Sequence, residues 1–226
     1  MIIRHIIITV LALLLSTVLF ETTNLDIWLQ DGLYNFASHK WIVDRNDPVL
    51  KFVLYDGIKE LFIIFLLLII GSLIFLKTNK FIKEYKTGLI LVALSSILIP
   101  VTVGSLKAAT NTPCPCNLRH YNGRYPYVTF LDHYPKSFKP PERIKCFPAG
   151  HASGGFSLMS LFFLFKKKRT KIIALITTLA ISWSIGFYKM LIGDHFLSHT
   201  IDSMLIAWLI ILIIVSILKK THKDIT

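Results

Sequence analysis

The sequence has no Walker-type glycine loop, no Gly-x-Ser-x-Gly elbow and no His-Glu-x-x-His pair. It therefore offers none of the backbone cradles, strained nucleophile turns or paired zinc ligands that those motifs provide. Acids are scarce, with 13 Asp and Glu against 25 Lys and Arg, for a net charge of +12. Of the carboxylates near the later histidines, only Asp194 and Asp202 are close in sequence. Cysteine is limited to Cys114, Cys116 and Cys146, all in one polar region. Cys-Pro-Cys lacks the two-residue gap of common zinc motifs, which disfavours zinc there. An extracytoplasmic loop would give one disulfide and a spare thiol, a cytosolic loop three free thiols. No internal repeat or low-complexity segment stands out.

What is present is hydrocarbon. Hydrophobic residues make up 54% of the 226, and mean hydropathy is +0.61. Runs of this length and purity define an integral membrane protein. The basic residues cluster at the ends of the apolar runs, in the positive-inside pattern, so the excess charge speaks for topology and not for nucleic acid.

Six spans are expected, at 2–20, 58–76, 87–103, 149–165, 171–187 and 201–218, forming one all-α membrane domain over 1–226. No small-x-small cleavage site follows Phe20, so the first span is expected to be retained and not removed as a signal peptide. The segment Glu21 to Asp56 has six acids against three bases, with Trp28 and Trp41, and reads as a loop lying at the interface. Lys77 to Lys86, Lys166 to Arg169 and the tail Lys219, Lys220, His222 and Lys223 mark the cytosolic side. Both termini then lie in the cytosol. A large extracytoplasmic loop, 104–150, joins the third and fourth spans. Pro100 should kink or loosen the end of the third, and the Gly154-Gly155 pair reads as close helix packing.

Two pieces bring histidine to apolar ends on that outer face: Cys146-Phe-Pro-Ala-Gly-His151 and Tyr188-Lys189-Met-Leu-Ile-Gly-Asp194-His195-Phe-Leu-Ser-His199. Pro148 and Gly150 suit the opening of a helix whose free N–H groups and dipole attract phosphate. His195 and His199, four apart, would share a face on a helix. Lys107 and Lys189 can supply cations to phosphate oxygens. A histidine that attacks phosphorus and another that protonates the leaving oxygen make a phosphoryl-transfer site without a metal.

Three blocks in register resemble the type-2 phosphatidic acid phosphatase superfamily, whose pattern is K-x6-R-P, P-S-G-H and S-R-x5-H-x3-D. Here they read Lys107-x6-Cys114-Pro115, Pro148-Ala149-Gly150-His151, and Tyr188-Lys189-x5-His195-x3-His199. The resemblance implies a phosphohistidine on His195, with His151 as general acid and His199 in the orienting place. Lys107, Lys189 and the amides of Ala149 and Gly150 would hold phosphate. Cys114 stands where the family has arginine, and Arg119, Arg124 or Arg143 could replace that clamp. His199 stands where the family has aspartate, and Asp194 or Asp202 could restore the missing charge. Cys114-Pro-Cys-Asn-Leu118 together with Cys146-Phe-Pro-Ala-Gly-His151 is similar to a bacterial variant of the family, which implies a Cys114–Cys146 disulfide with Cys116 left over.

The implied protein is a phosphatase of the bacterial cytoplasmic membrane, with no cofactor and no resident metal. Its partners are the bilayer and a phosphorylated lipid: phosphatidic acid, phosphatidylglycerophosphate, an isoprenyl pyrophosphate or a lipid A-like glycolipid. Three alternatives remain at this level. They are a phosphotransferase of the same family, a metal enzyme using His151, His195 and His199, and a lipid-binding or channel-like protein without catalysis.

Overall fold

The computed structural model describes residues 2–221. His222 and Lys223 lie outside the described residues. The chain is a helical bundle with long irregular stretches at one end. Helix α1 spans Ile2–Thr22, and the short α2 spans Leu25–Asp31. A two-residue antiparallel ladder follows, β1 Tyr34–Asn35 against β2 Lys40–Trp41, with Tyr34 opposite Trp41. Helix α3 (Pro48–Lys51) runs through a π-turn (Phe52–Asp56) into α4 (Gly57–Phe75). Asp47 caps α3 by accepting from the Val49 and Leu50 amides, with Pro48 at the first helical position, where a missing N–H costs nothing. Helix α5 is Lys80–Ala109, capped by Asn79.

The fourth hydrophobic segment is interrupted. It comprises α6 (Gly150–Ser157), a 3-10 turn (Leu158–Ser160) and α7 (Leu161–Leu164). Then come α8 (Lys168–Leu191) and α9 (Leu197–Thr221).

Among the described residues, five helices are long and apolar enough to cross a membrane: α1, α3–α4 as Pro48–Phe75, α5, α8 and α9. The expected fourth span, 149–165, is not among them. Its helical part ends at Leu164 and is broken by the tighter turn, so it is short of the usual ~20 residues. The other spans are longer than expected, because polar residues at their ends remain helical. Pro100 does not end α5, which continues nine residues beyond it to Ala109.

The core lies where α5, α6 and α9 meet, around Leu91, Ile99, Val103, Ala152, Phe156, Ala207, Ile211 and Val215. Small residues let α8 pack closely on both α6 and α9. A Cβ on Gly155 would sit 2.7 Å from Ser182 Oγ and 3.2 Å from its Cα, and one on Gly186 would meet Thr200 Cγ2 at 2.5 Å. By contrast, α1 and α4 leave large apolar side chains such as Leu15, Leu67 and Phe75 exposed. In a bilayer such a surface faces acyl chains.

The two ends of the bundle differ. Lys166 pairs with Glu84, and Leu164 packs on Gly88, so the lysine-rich links gather at one end. Lys107, His151, Lys189 and His199 gather at the other. There the Glu21–Asp56 segment does more than lie flat. Gln30 donates to the Met190 carbonyl at 2.8 Å, Asp26 accepts from the Ser198 amide and hydroxyl, and Trp41 covers Gly193.

Candidate active site

The loop between α5 and α6 folds back on itself before it reaches the histidines. The Cys146 amide donates to the Thr112 carbonyl and the Ile144 amide to Asn111 Oδ1, which brings the two arms of the loop side by side. Cys114 and Cys146 are joined by a disulfide across 32 residues. Cys116 is the free cysteine, and its amide donates to the Gly193 carbonyl in the turn between α8 and α9. Gly193 adopts φ +74°, a conformation open to glycine and strained for a residue with a Cβ, and that turn delivers His195.

His195 is not helical. It lies in the irregular stretch before α9, whereas His199 sits in the first turn of α9. The expectation of two histidines on one helical face is therefore replaced by a loop residue beside a helix residue, with ring centroids 5.7 Å apart. His195 Nε2 lies 3.3 Å from His151 Nδ1, and its Nδ1 lies 3.7 Å from Cys146 Sγ. Both His195 and His199 are 2% exposed. Burial foremost, then the neighbouring histidines and lysines, holds His195 well below the usual imidazole pKa, so it is neutral at neutral pH.

Helix α6 begins at Gly150 with Ala149 as its N-cap. Lys107, from the last turn of α5, crosses this helix start; a Cβ on Gly150 would lie 3.8 Å from Lys107 Nζ. The Ala149 amide donates to the His199 carbonyl at 3.1 Å. It therefore ties α6 to α9 and is not directed at a ligand, contrary to expectation, while Gly150 remains at the opening of the helix. Lys189 is nearly buried, with Nζ 3.0 Å from Asp194 Oδ2 and 4.2 Å from the centre of the Tyr55 ring. Tyr55 also meets His151 edge-on at 5.0 Å. The π-turn of α3–α4 places it there, and such bulges recur at functional sites.

The arginine at this site comes from an unexpected place. Arg45 Nη2 lies 2.5 Å from Asp194 Oδ1, 3.1 Å from Cys116 Sγ and 3.5 Å from the Ile192 carbonyl. Arg143 instead holds the Ala109 and Thr110 carbonyls at the end of α5, Arg119 lies over Phe138, and Arg124 is exposed. Of the two carboxylates considered for His199, Asp194 pairs with Arg45 and Lys189, and Asp202 accepts from Ser16 at 2.6 Å. The buried Nδ1 of His199 has no hydrogen-bond partner among the described residues. His199 is instead packed edge-on against Phe147 and Phe196.

The three histidines do not form the metal site considered above. The atoms that converge within 4.8 Å are Cys146 Sγ and one ring nitrogen each of His195 and His199. With Cys146 in its disulfide, that sulfur is not a thiolate.

Beside His151 a cavity of about 580 Å³ opens along α4, α6 and α8. It is lined mainly by apolar groups such as Phe62, Pro100, Leu158 and Ile185, with Tyr55, Lys59 and His151 among its polar lining residues. A cavity of this size, mainly apolar with a few polar lining groups, is suited to an amphipathic ligand.

The chain belongs to the PAP2 superfamily: that family's model matches residues 88–223, well over half the sequence. The matched region carries Lys107, His151, Lys189, His195 and His199, but not Arg45 or Tyr55. Membership supports a phosphatase-type activity. No curated protein and no solved structure matches the chain.

Proposed function

We propose that the protein is a membrane lipid phosphatase working through a phosphohistidine on His195. One observation carries this reading. A buried imidazole kept neutral by its surroundings faces a second imidazole at 3.3 Å, and that second imidazole lines an apolar cavity.

With its proton on Nδ1, toward the disulfide, His195 presents the Nε2 lone pair. The phosphoryl group enters where Nε2 meets His151 and separates the two rings. Nε2 forms the N–P bond as the P–O bond to the lipid breaks, and His151 delivers its proton to the departing oxygen. The charge of the bound phosphate favours the protonated form of His151 that this step needs. Water then attacks phosphorus, with His151 taking its proton, and releases phosphate. Lys107, Lys189 and the Gly150 amide at the start of α6 stabilise the oxygens during both steps. Asp194, held between Lys189 and Arg45, keeps the two cations in position.

The lipid chains lie in the cavity beside His151, so the reaction occurs at the bilayer edge. In this reading the whole chain forms one membrane domain. The broken α6–α7 segment completes a sixth crossing, short but lengthened at its base by the stems of Lys166 and Lys167. The lysine-rich end and both termini are cytosolic, and the site is extracytoplasmic.

The test is phosphate release by purified protein from a panel of phospholipids and lipid pyrophosphates, with EDTA present, comparing wild type and His195→Ala. Release that persists in EDTA and disappears in the variant is expected. Release abolished by EDTA, or retained in His195→Ala, overturns the mechanism.

A further inference from the structure

Cys146 comes from the loop before α6, and His195 and His199 come from the entry to α9, yet their ligand atoms lie within 4.8 Å of one another and all three residues are buried. One soft sulfur and two imidazoles form a donor set that suits zinc. The 3.7 Å from Cys146 Sγ to His195 Nδ1 is close to the edge of a tetrahedral zinc site. That edge is about 3.6 Å, given Zn–S of ~2.3 Å and Zn–N of ~2.0–2.1 Å. His199 has a buried ring nitrogen with no partner, an atom that a ligand would satisfy. What prevents the site from forming is the bond from Cys146 to Cys114.

We infer that reduction of the Cys114–Cys146 disulfide converts the phosphatase site into a zinc site made of Cys146, His195 and His199, and that zinc bound there stops catalysis. Cys114 is half-buried while Cys146 is fully buried, so the accessible sulfur for a reductant is that of Cys114. A dithiol attacking Cys114 breaks the S–S bond and releases Cys146. The dithiol becomes a disulfide, and two protons and two electrons pass to Cys114 and Cys146. Zinc then displaces the Cys146 thiol proton and binds the sulfur with the two imidazoles, leaving its fourth position to water. Coordination withdraws electron density from the His195 ring, so it is no longer a nucleophile. The disulfide thus protects the histidine from metal as well as shaping the loop. Only the effect on activity rests on the phosphatase reading; the metal site stands on geometry alone.

The experiment uses Cys114→Ser/Cys116→Ser, which leaves Cys146 as the single thiol, and wild-type protein treated with a phosphine reductant. The phosphine takes the disulfide to two thiols and itself to phosphine oxide, and it does not supply a competing thiolate. Cobalt is the spectroscopic probe and zinc the inhibitor. Both reduced forms are expected to show a thiolate-to-cobalt charge-transfer band with about one cobalt per chain, and oxidised wild type none. Added Cys146→Ser should remove the band, and His199→Ala should weaken binding at least ~10-fold. Zinc should inhibit only the reduced forms, reversibly by EDTA. Reduced wild type that gives no thiolate band while keeping its thermal transition overturns the inference, as does a band that survives Cys146→Ser. Because the spectrum needs no substrate, a missing band alongside intact phosphate release defeats this inference alone, and a band without phosphate release defeats only the phosphatase reading.

Discussion

Arg45 and Asp194, 149 positions apart, form an ion pair one residue before the proposed nucleophile. Asp194 receives Lys189 on its other oxygen, so a single carboxylate orders two cations beside His195. Arg45→Ala should lower phosphate release by about 10- to 100-fold, the loss expected when a charge-positioning group is removed from around a reacting phosphoryl. Arg45→Lys should recover only part of it, because the lysine stem is one bond shorter and does not carry its ammonium to the place that Nη2 holds between Asp194 and Cys116. The pair is partly exposed, with the arginine side chain half accessible, so thermal stability should change little. A large fall in the melting temperature with unchanged turnover of the folded fraction would contradict the assignment.

The histidines should separate in their kinetics. His195→Ala should abolish turnover, and His151→Ala should reduce it by about 10²–10⁴-fold, the usual contribution of a general acid. The His151 loss should be smaller for lipids whose leaving oxygen is less basic, such as pyrophosphates, which need less proton donation. Equal losses on a monoester and a pyrophosphate would remove His151 from the acid role.

Close helix packing makes two glycines sensitive. Gly155→Ala places a methyl 2.7 Å from Ser182 Oγ and 3.2 Å from Ser182 Cα. It should destabilise by about 1–3 kcal/mol, the range for overpacking. Gly154→Ala, whose nearest neighbour is Phe62 at 3.8 Å, should be tolerated. Thermal unfolding in detergent distinguishes them, and equal melting temperatures for the two variants would count against the packing described.

Asp26 gives a pH dependence with a definite sign. Burial raises its pKa from 3.8 to about 6, against the opposing hydrogen bonds from Ser198. Between those values the folded state binds more protons than the unfolded one, so stability falls as pH rises and the contribution is lost above about pH 6. A shift of this size corresponds to roughly 3 kcal/mol at most. The melting temperature of Asp26→Asn should therefore lack the part of the decline between pH 4.5 and 7 that wild type shows. Parallel curves for the two proteins would refute it.

The cysteines should fall into two classes. Cys114→Ser and Cys146→Ser remove the same bridge and should each cost about 2–4 kcal/mol for a loop of 32 residues. Cys116→Ser keeps the bridge and should be nearly neutral in stability. Thiol titration of unfolded, unreduced protein should find one free thiol in wild type.

The sequence by itself determined the membrane class, the positions of most helices and the candidate residues that the fold gathers at one end of the bundle. Apolar runs are local signals, readable from composition, and histidines at fixed spacing against helix ends are readable as a pattern. Cys114 and Cys146 were legible as partners only through the family variant they resemble. Only the tertiary structure decided that α6–α7 breaks into a short segment, that His195 lies outside a helix, and that the Ala149 amide is spent on His199. Arg45 and Tyr55 were beyond sequence reading altogether. One is one of three bases in an acidic, irregular segment, the other a ring on a π-turn, and no spacing rule links either to a histidine more than 90 residues later. Their place is fixed by long-range packing of the first loop on the turn between α8 and α9, through Gln30, Asp26 and Trp41. A contact of that kind depends on how the helices assemble, and local sequence carries no trace of it.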